Sequence, residues 1–293
     1  MNLSLLSPTW QLALSGLFGL IIGSFLNVVI LHLPRRMHAK FSDACAELEG
    51  REPTEPVPPQ RWFGLDYLIH PGSYCPDCGH AISPWGNIPL LGWLLLRGRC
   101  SQCGVRISLH YSVIEGLTAL VTMGVVMQFS IHWHTLAIAI LAWGLIVLAV
   151  IDIDKQLLPD QITLPLLWLG LLVNLSGRFV PLEDAVIGAV AGYLSLWFVF
   201  QLFHLLTGKE GMGYGDFKLL ALFGAWLGWQ MLPQIILLSS VIGTFIGIVL
   251  VALHRHERGT PIPFDPHLIL GGLVALFWGE RINQNYLHLT GLG

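Results

Sequence analysis

The chain reads as an all-α polytopic membrane protein with about eight transmembrane helices, each near the ~20 residues needed to span. A small polar, cysteine-bearing domain is inserted between the first and second. Three observations predict this. Of its 293 residues 54% are hydrophobic and only 11% charged, with a mean hydropathy of +0.67, where a soluble domain carries about 25% charged residues. The apolar residues fall into long runs, and helices are the expected spanning form because backbone groups in lipid must bond internally. The basic residues segregate to one side of those runs, as cytoplasmic loops require. The net charge of −3 is small and gives no sign of a nucleic-acid partner.

The expected helices are 10–33, 110–129, 134–151, 161–177, 184–206, 217–231, 234–254 and 268–286. The first has no Lys or Arg before Arg35, so it lacks the positive start of a signal peptide and is read as a spanning helix. Pro34-Arg35-Arg36 follows it and puts its C-terminal end in the cytoplasm. With the N-terminus outside, every Lys and Arg except Arg178 and Arg281 falls on the cytoplasmic side. The sixth helix is short and is followed by Pro233, which fits a tilted or partly re-entrant segment. Gly-x-x-x-Gly spacings at Gly19/Gly23, Gly188/Gly192, Gly224/Gly228 and Gly243/Gly247 are expected to serve helix packing. Residues 51–60, with four prolines from Pro53 to Pro59, look like an irregular linker. The expected domains are a transmembrane helix at 1–33, a cytoplasmic domain at 34–108 and a transmembrane domain at 109–293.

Cys75-Pro-Asp-Cys78 and Cys100-Ser-Gln-Cys103 form two C-x-x-C knuckles, each followed by a glycine that helps the backbone turn. Four sulfur ligands at this spacing fit tetrahedral zinc. A redox dithiol pair and an iron–sulfur centre are the rival readings. A site filled by four thiolates is closed, hence structural, and would help fold a small cytoplasmic zinc-knuckle domain. Cys45 is expected to be unpaired, and His70, His80 and His110 to be surface or packing residues.

Two aspartates stand at the edges of apolar runs. Asp152 ends the run 136–151, and Asp216 ends the turn Gly211-Met-Gly213-Tyr-Gly215-Asp216 before the run 217–229. A carboxylate at the edge of hydrocarbon is costly and is by default a functional-site hypothesis. Asp160 and Asp184 read instead as residues that start helices, Asp160 as an N-cap. Asp154 lies about 200° round the helix from Asp152 and cannot face the same partner. The glycines before Asp216 allow unusual backbone angles and close approaches, though a short glycine motif is weak by itself. Taken alone, paired boundary carboxylates fit either acid–base catalysis or a transporter's proton relay.

The chain resembles the bacterial type IV prepilin peptidases, leader peptidase/N-methyltransferases of the GXGD aspartic protease group. The resemblance runs nearly end to end: Gly23-Ser-Phe-Leu-Asn-Val-Val29 with Leu33-Pro34, both cysteine knuckles, Asn87-Ile-Pro89 and Leu96-Arg-Gly-Arg-Cys100, Asp152 with Leu158-Pro-Asp160, residues 211–218, and Ile262-Pro-Phe264. It implies a membrane aspartic endopeptidase that removes the basic leader of type IV prepilins and type II secretion pseudopilins after a glycine. It further implies methylation of the new N-terminus with S-adenosylmethionine as donor, in the inner membrane. By position it makes Asp152 and Asp216 the catalytic pair, with Gly213 and Gly215 in their motif, and Cys75, Cys78, Cys100 and Cys103 the metal ligands. An archaeal-type preflagellin peptidase shares the aspartate motif, but the insertion at 34–108 argues against it. Two departures stand out: Asp265, where such chains often have glycine, and His110 before Tyr111, where arginine is common. Both are expected to lie apart from the proteolytic motif. No Rossmann-type glycine motif marks a methyl-donor site. Glu47, Glu49, Glu52 and Glu55 carry charge that would attract a basic leader, although a solvated acidic loop is the simpler reading.

Overall fold

The computed structural model describes residues 7–50, 78, 89–209, 211–252 and 264–290. Among them the protein is helical: α1 Pro8–Leu48, α2 Leu91–Leu95, α3 Leu109–Phe129, α4 Trp133–Lys155, α5 Asp160–Asn174, α6 Leu182–Thr207, α7 Tyr214–Leu227, α8 Leu232–Ala252 and α9 Asp265–Thr290. A 3-10 turn, Trp229–Met231, joins α7 to α8. Each expected helix overlaps one of the long observed ones. Among the described residues, five helical segments are long and apolar enough to cross a membrane: α1, α3, α4, α6 and Trp229–Val249. The linker read at 51–60 lies outside the described residues.

The chain divides into two compact units, Met1–Thr135 and Leu136–Gly293. In the first, α1 packs along α3. Gly19 and Gly23 face the Ala119 and Glu115 backbones so closely that a Cβ on either glycine would sit 2.7 Å from the opposing Cα. This close crossing is what small residues one turn apart permit in lipid. α1 does not stop at Pro34: its 41 residues run to Leu48, about 60 Å against the ~30 Å of a bilayer core. Pro34 removes one backbone donor but its ring stays buried inside the helix, so the chain continues as a polar helix beyond the apolar stretch.

In the second unit α4 is the interior helix. Of its apolar window 72% is buried inside the protein, against 17–33% for the other four spanning candidates. Its buried residues run round the helix, from Ile138 through Leu141, Ala142, Leu145 and Leu148 to Ile151. By contrast α6 leaves Val186, Val190, Leu194 and Phe198 exposed, an apolar stripe of the kind lipid covers. α6 crosses α7 at Gly188, Gly192 and Gly224, where added Cβ atoms would run into the opposing backbones. Trp226, fully buried on α7, donates its indole N–H to the Leu166 carbonyl at 2.9 Å, and its ring fills the space beside Gly170. Asn174 at the end of α5 donates to the carbonyls of Ala225 and Trp226 and accepts from the amides of Phe179 and Val180. These polar ties fix the far end of α7, and with it the register of the carboxylate at its start.

Candidate functional site

Asp152 lies in the last turn of α4 and is 5% exposed. The helix ends just beyond it: Gln156 adopts φ +52° and donates its backbone N–H to the Asp152 carbonyl at 2.8 Å. A left-handed conformation at a helix end is usually left to glycine. Its use of glutamine here is a strained turn beside the site. Asp154 is exposed, as the helical angle requires.

Asp216 is the third residue of α7 and is also 5% exposed. Its Oδ2 accepts the Gly213 N–H at 3.2 Å. This is the carboxylate half of a capping box; Gly213 has no side chain with which to return the bond. Neither Gly211, Gly213 nor Gly215 has a positive φ, so the glycines act here through close approach. A Cβ on Gly215 would lie 2.8 Å from Cβ of Leu158, and one on Gly211 would meet the Phe203 ring. Phe217, fully buried next to Asp216, packs with Phe200 and Tyr214 at centroid distances of 5.6 and 5.5 Å and seats the start of α7.

The two carboxylates are brought together. They act on each other electrostatically, although 64 residues of chain separate them. A third joins them. Asp265, the first residue of α9 and 7% exposed, hydrogen-bonds Asp216 and feels the charges of both Asp216 and Asp152. The expectation that Asp265 lies apart from the proteolytic motif is therefore wrong. The signal was available: Asp265 precedes an apolar run, just as Asp152 ends one. Two carboxyl groups joined by a hydrogen bond must hold a proton between them, so Asp216 and Asp265 do not both ionise. One oxygen each of Asp152 (Oδ2) and Asp265 (Oδ1) is buried without a hydrogen-bond partner. Buried oxygens left open in this way suit an incoming donor.

Asp160 is not an N-cap. Pro159 holds that position, and Asp160, in the first turn of α5, pairs with Lys218 at 2.7 Å. Proline has no side chain that caps, and the first-turn carboxylate instead serves the α5–α7 contact. The bond also occupies the lysine that follows Asp216 by two residues.

In the first unit, Cys78, Cys100 and Cys103 converge, with all three sulfurs within 4.8 Å of one another. Cys78 and Cys100 are 3.9 Å apart. Tetrahedral zinc at a Zn–S distance of ~2.3 Å sets its sulfurs about 3.8 Å apart, so these three thiols fit the ion. All three are free of disulfides. Cys75, the expected fourth ligand, lies outside the described residues. The second knuckle is a tight hairpin: Cys100 N–H donates to the Val105 carbonyl, Ile107 N–H to the Gly98 carbonyl, and Arg99 bridges Arg106. Gly98 and Gly104 take φ +65° and +72°, which this turn requires and which only glycine adopts without strain.

A further carboxylate, Glu115 on α3, went unnoticed in the sequence although it lies within an apolar run. It is buried, accepts the Leu90 amide at 2.8 Å and bonds the Ser24 hydroxyl. It thus joins α1 and α3 to the segment that precedes α2.

Residues 139–248 match the type IV leader peptidase family, and residues 17–129 match the bacterial peptidase A24 N-terminal domain. The chain is 50% identical over 275 residues to the prepilin leader peptidase/N-methyltransferase of Pseudomonas aeruginosa, covering 94% of this chain and 93% of that one. It is 52% identical to the protein of the same name from Aeromonas hydrophila, covering 96% and 95%. With that of Legionella pneumophila the identity is 42%, covering 96% of both chains. No solved structure matches the chain.

Proposed function

Since the chain belongs to the type IV leader peptidase family, we propose that it is a multi-pass inner-membrane enzyme that cleaves the leader of prepilins and pseudopilins. It then methylates the new N-terminus. The observation that carries the peptidase reading is the meeting of Asp152 and Asp216, both 5% exposed and interacting, at two helix ends.

Two carboxylates so close do not both ionise easily, and the pair shares a proton. The ionised member takes a proton from water, whose oxygen attacks the scissile carbonyl carbon. The protonated member gives its proton to the carbonyl oxygen. When the C–N bond of the tetrahedral intermediate breaks, the proton taken from water passes to the leaving amine. Nothing in the three-aspartate arrangement favours a proton relay, whose groups would lie near the bilayer midplane between broken helices.

All eight expected helices cross the membrane in this reading, with the short α7 buried among the others. The N-terminus is periplasmic and the aspartates face the cytoplasm, where the basic leader of a membrane-anchored prepilin lies. Cys75 completes the ligand set of Cys78, Cys100 and Cys103 around a structural zinc, which holds the 34–108 domain. S-adenosylmethionine is the methyl donor. When purified protein is incubated with a prepilin, the substrate should lose its leader mass. It should gain one methyl group only when S-adenosylmethionine is present. An unchanged substrate mass would remove the peptidase reading, and leader loss without methyl gain would remove the transferase half.

A further inference from the structure

We propose that Asp265 is a positioning residue that keeps its own proton directed at Asp216 and thereby makes Asp216 the base and Asp152 the acid of the pair. This rests on the peptidase reading. A hydrogen bond between two carboxyl groups requires a proton, and the geometry says which partner carries it. Asp216 is already an acceptor, from Gly213 N–H, and it stands in the first turn of α7, where the helix dipole favours an anion. Asp265 has a buried oxygen with no donor. A neutral carboxyl tolerates a bare carbonyl oxygen far better than an anion tolerates a bare buried charge. The proton therefore resides on Asp265 and is directed at Asp216.

The surrounding charges agree. The groups that act on Asp265 are Asp216 on α7 and Asp152 on α4, both acidic. The nearby cation Lys218 is bound by Asp160, and the ring of His267 packs against Gly243 of α8. The first turn of α9 favours an anion at Asp265, but the required shared proton overrides it. Asp152 is left at the opposite kind of helix end, the negative pole of α4, with one buried oxygen unpaired. That is the place for the group that carries a proton to the substrate carbonyl. In the reaction Asp216 removes the proton from water and Asp152 supplies one to the carbonyl oxygen. Asp265 keeps its own proton throughout.

The test is the pH dependence of kcat/KM for prepilin cleavage by purified full-length protein, comparing wild type with Asp265→Gly and Asp265→Asn. Asp216 ionised is the active form, so activity is lost as pH falls through its titration. Removing the donor in Asp265→Gly makes Asp216 harder to ionise, and the acid limb should move up by about one pH unit. The amide of Asp265→Asn still donates, and its limb should stay with wild type. Each profile is scaled to its own maximum, so a partial loss of folded protein does not move the limb. A limb that stays or moves down in Asp265→Gly would overturn the proposal, since a downward shift is the signature of removing an anion. So would an Asp265→Asn limb that follows the glycine variant. If wild type itself does not cleave, the peptidase reading fails first. If wild type cleaves and the limbs behave otherwise than stated, only the role of Asp265 fails.

Discussion

Asn174 shows how single residues hold this protein together. It is fully buried and satisfies two carbonyls at the end of α7 and two amides beyond α5. Asn174→Ala strands buried polar groups at a cost of about 1–3 kcal/mol, and the thermal midpoint of the detergent-solubilised protein should fall accordingly. Asn174→Asp keeps the acceptor but turns a carboxylate oxygen toward the two carbonyls, so its midpoint should fall at least as far. An unchanged midpoint in both would show that the four bonds carry no stability. At this scale Asp152 and Asp216 were legible in the sequence, because a carboxylate beside an apolar run has few innocent explanations. Glu115 obeys the same rule but belongs to no motif, and Asp265 stands out in the sequence only as a departure from the family pattern. Asp265 stands between Phe264 and Pro266, three residues short of its apolar run, and Glu115 sits inside a helix whose partner surface no spacing reveals. Their contacts, to Asp216 and to Leu90, are made by folding alone.

Among the elements, the sharpest constraint is the crossing of α6 and α7. A Cβ on Gly224 would run into the Gly188 carbonyl, and one on Gly188 would meet the Gly224 carbonyl. Backbone atoms cannot rotate away as a side-chain tip can, so Gly188→Ala or Gly224→Ala must push the helices apart. Overpacking of this kind costs about 1–3 kcal/mol. Gly116→Ala, which meets nothing within 4 Å, should leave thermal stability unchanged or slightly raised. Equal stability in all three variants would contradict the close crossing. The Gly-x-x-x-Gly spacings foretold this packing, and the apolar runs foretold the long helices. Helix ends were harder to read. α1 passes through Pro34, since proline still fits a helix that can spare one amide bond. Pro159 takes the cap position ahead of Asp160, whose carboxylate pairs with Lys218 instead.

Across the whole molecule, two clusters of reactive side chains occupy two units. Cys78, Cys100 and Cys103 lie in the first, and the three aspartates lie in the second. Cys100→Ser or Cys103→Ser should release zinc, measured by elemental analysis of the purified protein, and impair methylation. Retained metal would count against the cluster. The class of molecule, the cysteines that converge at Cys78, Cys100 and Cys103, and the boundary aspartates were all readable in composition and motif. That the pair meets was not readable, because it depends on how α4 and α7 pack, and no local pattern encodes that. The most direct test of the central claim compares leader cleavage by wild type, Asp152→Asn and Asp216→Asn, with methylation of a pre-cleaved pilin as the measure of intact fold. Both variants should lose cleavage by at least about a hundredfold while still methylating. Full cleavage by either variant would contradict the carboxylate pair.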